Sequence, residues 1–214
     1  MRPRDLPERE MHEYAAAVER HSSHERGVVR YFYQMYVEHT LRCVEGCRGP
    51  EVLEVGCGER LMFKKASICP VQMDISLTRL RRAPHHEGRL LCADAYALPF
   101  ADKSFEVVLL VAVLEHTREP WRILEEAHRV LRPGGRVVIV VPNDVTLSLG
   151  RALLLKFPAR YPDHLTFTTP KRLGSWLRDR FQILEAFPLP FRSVSFYMNL
   201  YYFLVARKTP WGAA

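Results

Sequence analysis

The sequence predicts an α/β domain built on a largely parallel sheet, and three observations predict it. Residues 52–58 read VLEVGCG, an apolar β-branched run that carries Glu54 and breaks into a turn at Gly56 and Gly58. Acidic residues then end the next two apolar runs, Asp74 in VQMDI and Asp94 in RLLCADA. Two longer runs follow, SFEVVLLVAVLEH and VLRPGGRVVIVVPN, too uniformly apolar for strands with one wet face. Four strand ends thus converge on one crevice, the place where ligands bind in sheets of this kind.

Taken in order, residues 8–21 show helical spacing through Met11, Tyr14, Ala15 and Val18. A second helix is expected from about Val28 to Val44, with Tyr31, Phe32, Tyr33 and Tyr36 along it. Together they make an N-terminal helical cap over residues 1–48, part of the same domain. Its aromatic residues suit either a lid over a ligand or ordinary core.

The first strand delivers the glycine turn, where the lack of a Cβ permits unusual φ and lets backbone N–H groups approach a ligand. The third glycine of a dinucleotide fingerprint would fall at Arg60, so a ligand without a pyrophosphate fits better. Asp74 stands twenty residues beyond Glu54, where a carboxylate can accept from both hydroxyls of a ribose. Asp94 could accept from an adenine amino group, while Ala95 offers its N–H to the ring. The fourth strand is expected from Phe105 to about Val113, and a tight Pro133-Gly134-Gly135 turn leads into the fifth. DVTLSLGRALLLKF, residues 144–157, forms an amphipathic helix candidate. The loop ARYPDHLTFTTP follows, and Thr169 as N-cap with Pro170 at the first helical position opens the helix in KRLGSWLRDR. FQILEAF and YYFLVAR supply the sixth and seventh strands.

With EVGCG, LPF, VLEH and LRPGG in this order over residues 50–143, and DHLTFTTPKRL at 163–173, the chain resembles the class I S-adenosylmethionine-dependent methyltransferases, in particular their type 11-like subgroup. The resemblance implies a Rossmann-like seven-stranded mixed sheet flanked by helices, its last strand antiparallel, in a methyltransferase domain over 49–210. It implies S-adenosyl-L-methionine as cofactor. Glu54, Gly56, Cys57 and Gly58 would surround its methionine part, Asp74 and Ile75 its ribose and adenine edge, and Asp94 with Ala95 its adenine. Val111 and His116 would stand beside the sulfonium. The sequence departs from the pattern at Arg60, often a third glycine, and at Val111, often polar.

Methyl transfer from a sulfonium mainly requires an acceptor atom held close and in line. A general base is needed only for an acceptor protonated at working pH, and His116 and His164 are the candidates. Asp144 and Tyr161 lie nearby in sequence without a supporting pattern. The acceptor expected is a small molecule. Alternatives are a lipid or quinone precursor at a membrane surface, RNA, or a non-catalytic protein that only binds the cofactor.

Composition bears on these choices. With 214 residues, 48% of them hydrophobic, one domain can bury a full core. The formal charge of +7 suits an anionic small molecule, an anionic membrane surface or a nucleic acid. A nucleic-acid partner is the lesser reading, because the clusters at Arg79, Arg81, Arg82 and at Lys171, Arg172, Arg178, Arg180 fall on predicted helices, whose solvated faces account for them. The adenine-amine pattern Asn/Asp-Pro-Pro-aromatic is also replaced by VAVLEH. Five scattered cysteines suggest reduced thiols and no zinc-ligand spacing, so no metal is expected. No apolar run reaches membrane-spanning length and the N-terminus lacks a secretory core, which predicts a cytoplasmic protein with peripheral membrane contact at most. Oligomeric state is not written in the pattern.

Overall fold

A computed structural model of the chain describes residues 28–59, 62–65, 68–83, 89–153, 155, 158 and 161–210. The expected helix at 8–21, Arg60, and Leu154 and Phe157 of the helix expected at 144–157 lie outside them, as do the side chains of Tyr31, Phe32 and Tyr33.

Seven strands form one sheet: β1 (Val52–Val55), β2 (Val71–Asp74), β3 (Arg89–Cys92), β4 (Phe105–Val111), β5 (Leu131–Pro142), β6 (Phe181–Leu189) and β7 (Tyr201–Lys208), in the order β3-β2-β1-β4-β5-β7-β6. β1 to β5 are mutually parallel, whereas β7 runs antiparallel to both β5 and β6. This is the Rossmann-like mixed sheet with an antiparallel last strand. The order reverses between β1 and β4, which opens a crevice at their carboxyl ends.

Alternate residues of the central strands feed two cores. Val108 and Leu110 of β4 face one layer with Ile123, Leu124 and Ala127 of α3 (Pro120–Val130) and Leu173 and Leu177 of α5 (Pro170–Leu177). Val107, Leu109 and Val111 face the other, with Tyr36 of α1 (Val28–Arg42), Phe187 and Phe203. Both faces are covered, which is why β4 reads as a continuous apolar run rather than an alternating one. The other two described α-helices are α2 (Leu77–Arg82) and α4 (Asp144–Leu153).

Several boundaries differ from expectation. β4 stops at Val111 because Ala112 takes a φ of 54° and turns the chain out of the sheet. β3 ends at Cys92, and Asp94 lies beyond it in a turn where its Oδ1 accepts from the Tyr96 N–H at 2.9 Å. The Pro133-Gly134-Gly135 turn is an excursion within β5 rather than its lead-in, since pairing with β4 begins at Leu131, before the turn, and shifts register across it. Gly135 is needed there: a Cβ would lie 2.9 Å from the Glu106 carbonyl oxygen.

Candidate functional site

The glycine turn is built by packing as much as by torsion. Gly56 and Gly58 have φ of 72° and 60°, in the left-handed region that side chains disfavour. A Cβ on Gly56 would fall 2.6 Å from Cγ2 of Val113, so the loop after β4 presses directly on the turn after β1. The Gly56 and Cys57 N–H groups donate to the Met73 carbonyl at 2.7 and 3.0 Å, tying the turn to β2.

Asp74 completes this corner. It is 5% exposed, accepting from the Gly58 N–H through Oδ2 and from the Ser76 N–H through Oδ1, both at 2.8 Å. An ionised carboxylate has about four acceptor positions, so two remain for a ligand's hydroxyls. Glu54 is buried in β1 and accepts from Gln72 Nε2 at 2.6 Å, the two side chains standing opposite each other in the parallel register. Ile75, Asp94 and Ala95 are half-buried along the same edge, and the Ala93 N–H donates to the Asp74 carbonyl at 3.1 Å. Cys57 is buried within the turn and Val111 at the end of β4. The structure therefore brings the sequence-predicted donor residues together around one crevice, with Arg79 adding a cation beside Gly58.

A second group lies next to it. After Val113 the chain makes a single turn, Leu114–His116, that delivers Glu115 and His116. The loop containing Asp163 and His164 closes over them: Thr166 donates its N–H to the Glu115 carbonyl at 3.0 Å and its hydroxyl to the Thr117 carbonyl. The His116 and His164 rings meet edge to face at 5.0 Å. His116 Nδ1 lies 3.0 Å from the Asp163 carbonyl oxygen and 3.5 Å from its Oδ2, and Nε2 lies 3.9 Å from Glu115 Oε1. Asp144, the first residue of α4, holds His164 at Nδ1. Tyr161 stacks on the His164 ring at 5.0 Å, and the Arg151 guanidinium lies over the tyrosine ring, 4.5 Å from its centre.

Burial works against charge on His164, but the hydrogen bond its Nδ1 donates to Asp144 and the nearby Glu115 and Asp163 carboxylates outweigh it and raise its pKa above the ordinary value. Three of these residues, Glu115, Asp144 and Asp163, are buried to 1%, 4% and 6% exposure. Sequence reasoning paired the two histidines as candidates but missed Glu115 and Asp163. The only sequence trace is that each acid immediately precedes one of the histidines.

A family model described as a methyltransferase domain matches residues 53–139, the span from β1 through most of β5. A ubiquinone biosynthesis O-methyltransferase of Pseudomonas putida is 29% identical over 148 residues, 61% of this chain and 63% of that protein. A probable S-adenosylmethionine-dependent methyltransferase of Mycolicibacterium smegmatis is 29% identical over 126 residues, 56% of this chain and 49% of that one. The chain thus spans about half the length of the curated relatives it matches, somewhat more in the first case. A solved S-adenosylmethionine-dependent methyltransferase from Thermotoga maritima superposes with a TM-score of 0.67 over 93% of this chain and 99% of its own, at 19% identity. That likeness is one of fold.

Proposed function

We propose that the chain is a class I S-adenosylmethionine-dependent methyltransferase, which transfers a methyl group from S-adenosyl-L-methionine to a small-molecule acceptor. The observation that carries this reading is Asp74, a buried carboxylate held at the end of β2 by the Gly58 and Ser76 N–H groups with acceptor capacity to spare. Such a group suits a ribose. Glu54, Gly56, Cys57 and Gly58 then hold the methionine part, Ile75 flanks the ribose, Asp94 and Ala95 hold the adenine, and Val111 backs the sulfonium.

When bound, the cofactor supplies an activated methyl group. What the chain's own residues must do is exclude water and hold the acceptor in line. His116 and His164 stand on the acceptor side, past the loop that presses on Gly56. Burial disfavours charge on His164, but the carboxylates around it shift its pKa upward on balance, so its surroundings favour the charged form more than water does.

One observation favours an apolar acceptor, such as a lipid or quinone precursor met at a membrane surface. α4 starts at Asp144 in this cluster but leaves Val145, Leu149 and Leu153 exposed, and Leu155, Phe191, Tyr197 and Met198 are exposed as well. Thr146 of α4 donates its hydroxyl to the Tyr197 carbonyl at 3.2 Å, which joins the helix to the 196–198 turn. Among the described residues no helix is long and apolar enough to cross a membrane, so contact of this kind would be peripheral.

Calorimetric titration with S-adenosylmethionine and S-adenosylhomocysteine tests the donor site. Wild-type protein is expected to bind both, and Asp74→Asn, which keeps the shape but not the charge, to weaken binding at least about tenfold, as loss of charge-assisted hydrogen bonds implies. Failure of folded wild-type protein to bind either compound sinks the proposal.

A further inference from the structure

We propose that Glu115, His116 and His164 form a site for one divalent transition-metal ion of the zinc class, beside the donor crevice. Each of the three side chains offers a ligand atom, and those atoms lie within 4.8 Å of one another. Donors on one tetrahedral zinc are about 3.3 Å apart, from Zn–N and Zn–O bonds of about 2 Å. The ligand atoms therefore need to close by up to about 1.5 Å.

The surroundings are those that metal-ligating histidines require. A ligating imidazole is fixed by the hydrogen bond its other nitrogen makes to a carboxylate or a backbone carbonyl. Here Nδ1 of His164 is held by the Asp144 carboxylate and Nδ1 of His116 by the Asp163 carbonyl. Both rings accordingly present Nε2, and that of His116 faces Glu115 Oε1.

Charge is the second and independent observation. Three buried carboxylates, Glu115, Asp144 and Asp163, surround two imidazoles. Buried carboxylate oxygens are normally hydrogen-bonded, paired or bound to a metal. Asp144 Oδ2 and Asp163 Oδ1 are moreover buried without a hydrogen-bond partner among the described residues. A divalent cation beside them would stabilise these buried oxygens.

Two nitrogens and one carboxylate oxygen favour zinc, iron or cobalt over magnesium, which prefers oxygen donors throughout. Three protein donors also leave a position open, as in catalytic rather than structural zinc sites. That position would admit water or an oxygen donor of the acceptor, a role that rests on the methyl-transfer reading although the ion site itself does not. The sequence pointed to no metal because the donors come from separate loops, joined only when Thr166 fastens one to the other.

The full chain, stripped with chelator and dialysed, is titrated with cobalt(II) and then with zinc(II), alongside Glu115→Gln, His116→Asn, His164→Asn and the control His39→Asn. Circular dichroism reports folding, and a parallel titration with S-adenosylhomocysteine reports the donor site. One cobalt per chain is expected, with visible ligand-field bands of a four- or five-coordinate ion that one equivalent of zinc abolishes. Each ligand variant is expected to weaken binding by at least about tenfold, and His39→Asn to leave it unchanged. Absence of the bands in folded wild-type protein overturns the site, and so do bands that persist undiminished in Glu115→Gln, the variant closest in shape. Binding of S-adenosylhomocysteine without cobalt leaves the methyl-transfer reading standing and removes the metal; cobalt without S-adenosylhomocysteine does the reverse.

Discussion

At Gly56 a single hydrogen atom decides whether two loops can meet. Gly56→Ala would place a methyl group 2.6 Å from Val113 Cγ2 on a backbone with φ of 72°. The torsional cost is about 1–2 kcal/mol and the overpacking about 1–3 kcal/mol. Urea denaturation should show the loss, and titration with S-adenosylhomocysteine should show weaker binding because the turn can no longer hold its shape. Adding Val113→Ala should recover the steric share and leave the torsional share, so complete recovery in the double variant would contradict the strained backbone. The candidate donor residues were legible in the sequence because they group at or just beyond the carboxyl ends of β1 to β4, where position in the pattern is also position in space. The Val113 contact was not, since nothing local records which side chain a distant loop will press against a glycine. Glu115 and Asp163 were illegible for the same reason: their meaning depends on a loop-to-loop closure, not on spacing. Ala112 carried no signal at all, because the sequence offers no glycine or asparagine to mark its left-handed conformation.

Among the elements, α5 was the most readable, because its start is a chemical device rather than a hydropathy pattern. Thr169 accepts from the Arg172 N–H at 3.3 Å, and Pro170 takes the first helical position where its missing donor costs nothing. The helix buries Leu173 and Leu177 against the sheet, so loosening its first turn loosens that layer. Thr169→Ala should cost about 1 kcal/mol, visible as a lowered melting temperature, while Thr169→Ser should be close to neutral. Equal melting of all three proteins would mean that packing alone sets the helix start. α4 was harder. Its leucines read equally as a face packed on the sheet or as one left outside, and the structure leaves Leu149 and Leu153 exposed with Asp144 the helix's buried residue. Periodicity identifies a face but not what that face meets.

At the scale of the whole molecule, strand order could not be read from composition. Each strand was visible singly, but the antiparallel direction of the last one came from resemblance to a family, and its placement between β5 and β6 came only with the structure. The net charge of +7 and the apolar patch around α4 together predict a salt-sensitive affinity for anionic vesicles. Cosedimentation with phosphatidylglycerol vesicles should fall as salt rises from about 0.05 to 0.5 M, since screening shortens the reach of the charges. The pair Leu149→Ser and Leu153→Ser should reduce it further at every salt concentration, and binding indifferent to both would rule out the membrane-side acceptor. The inserted β7 also sets an order of events. Among the described residues β6 is bonded in the sheet to β7 alone, and β7 bonds to both β5 and β6. On a chain emerging from the ribosome, β1 to β5 can assemble as they appear, while β6 must wait, edge bare, for a strand that follows it. The donor corner can therefore be standing before the far third of the sheet exists, and the interval between them is when this protein is most open to pairing with the wrong neighbour.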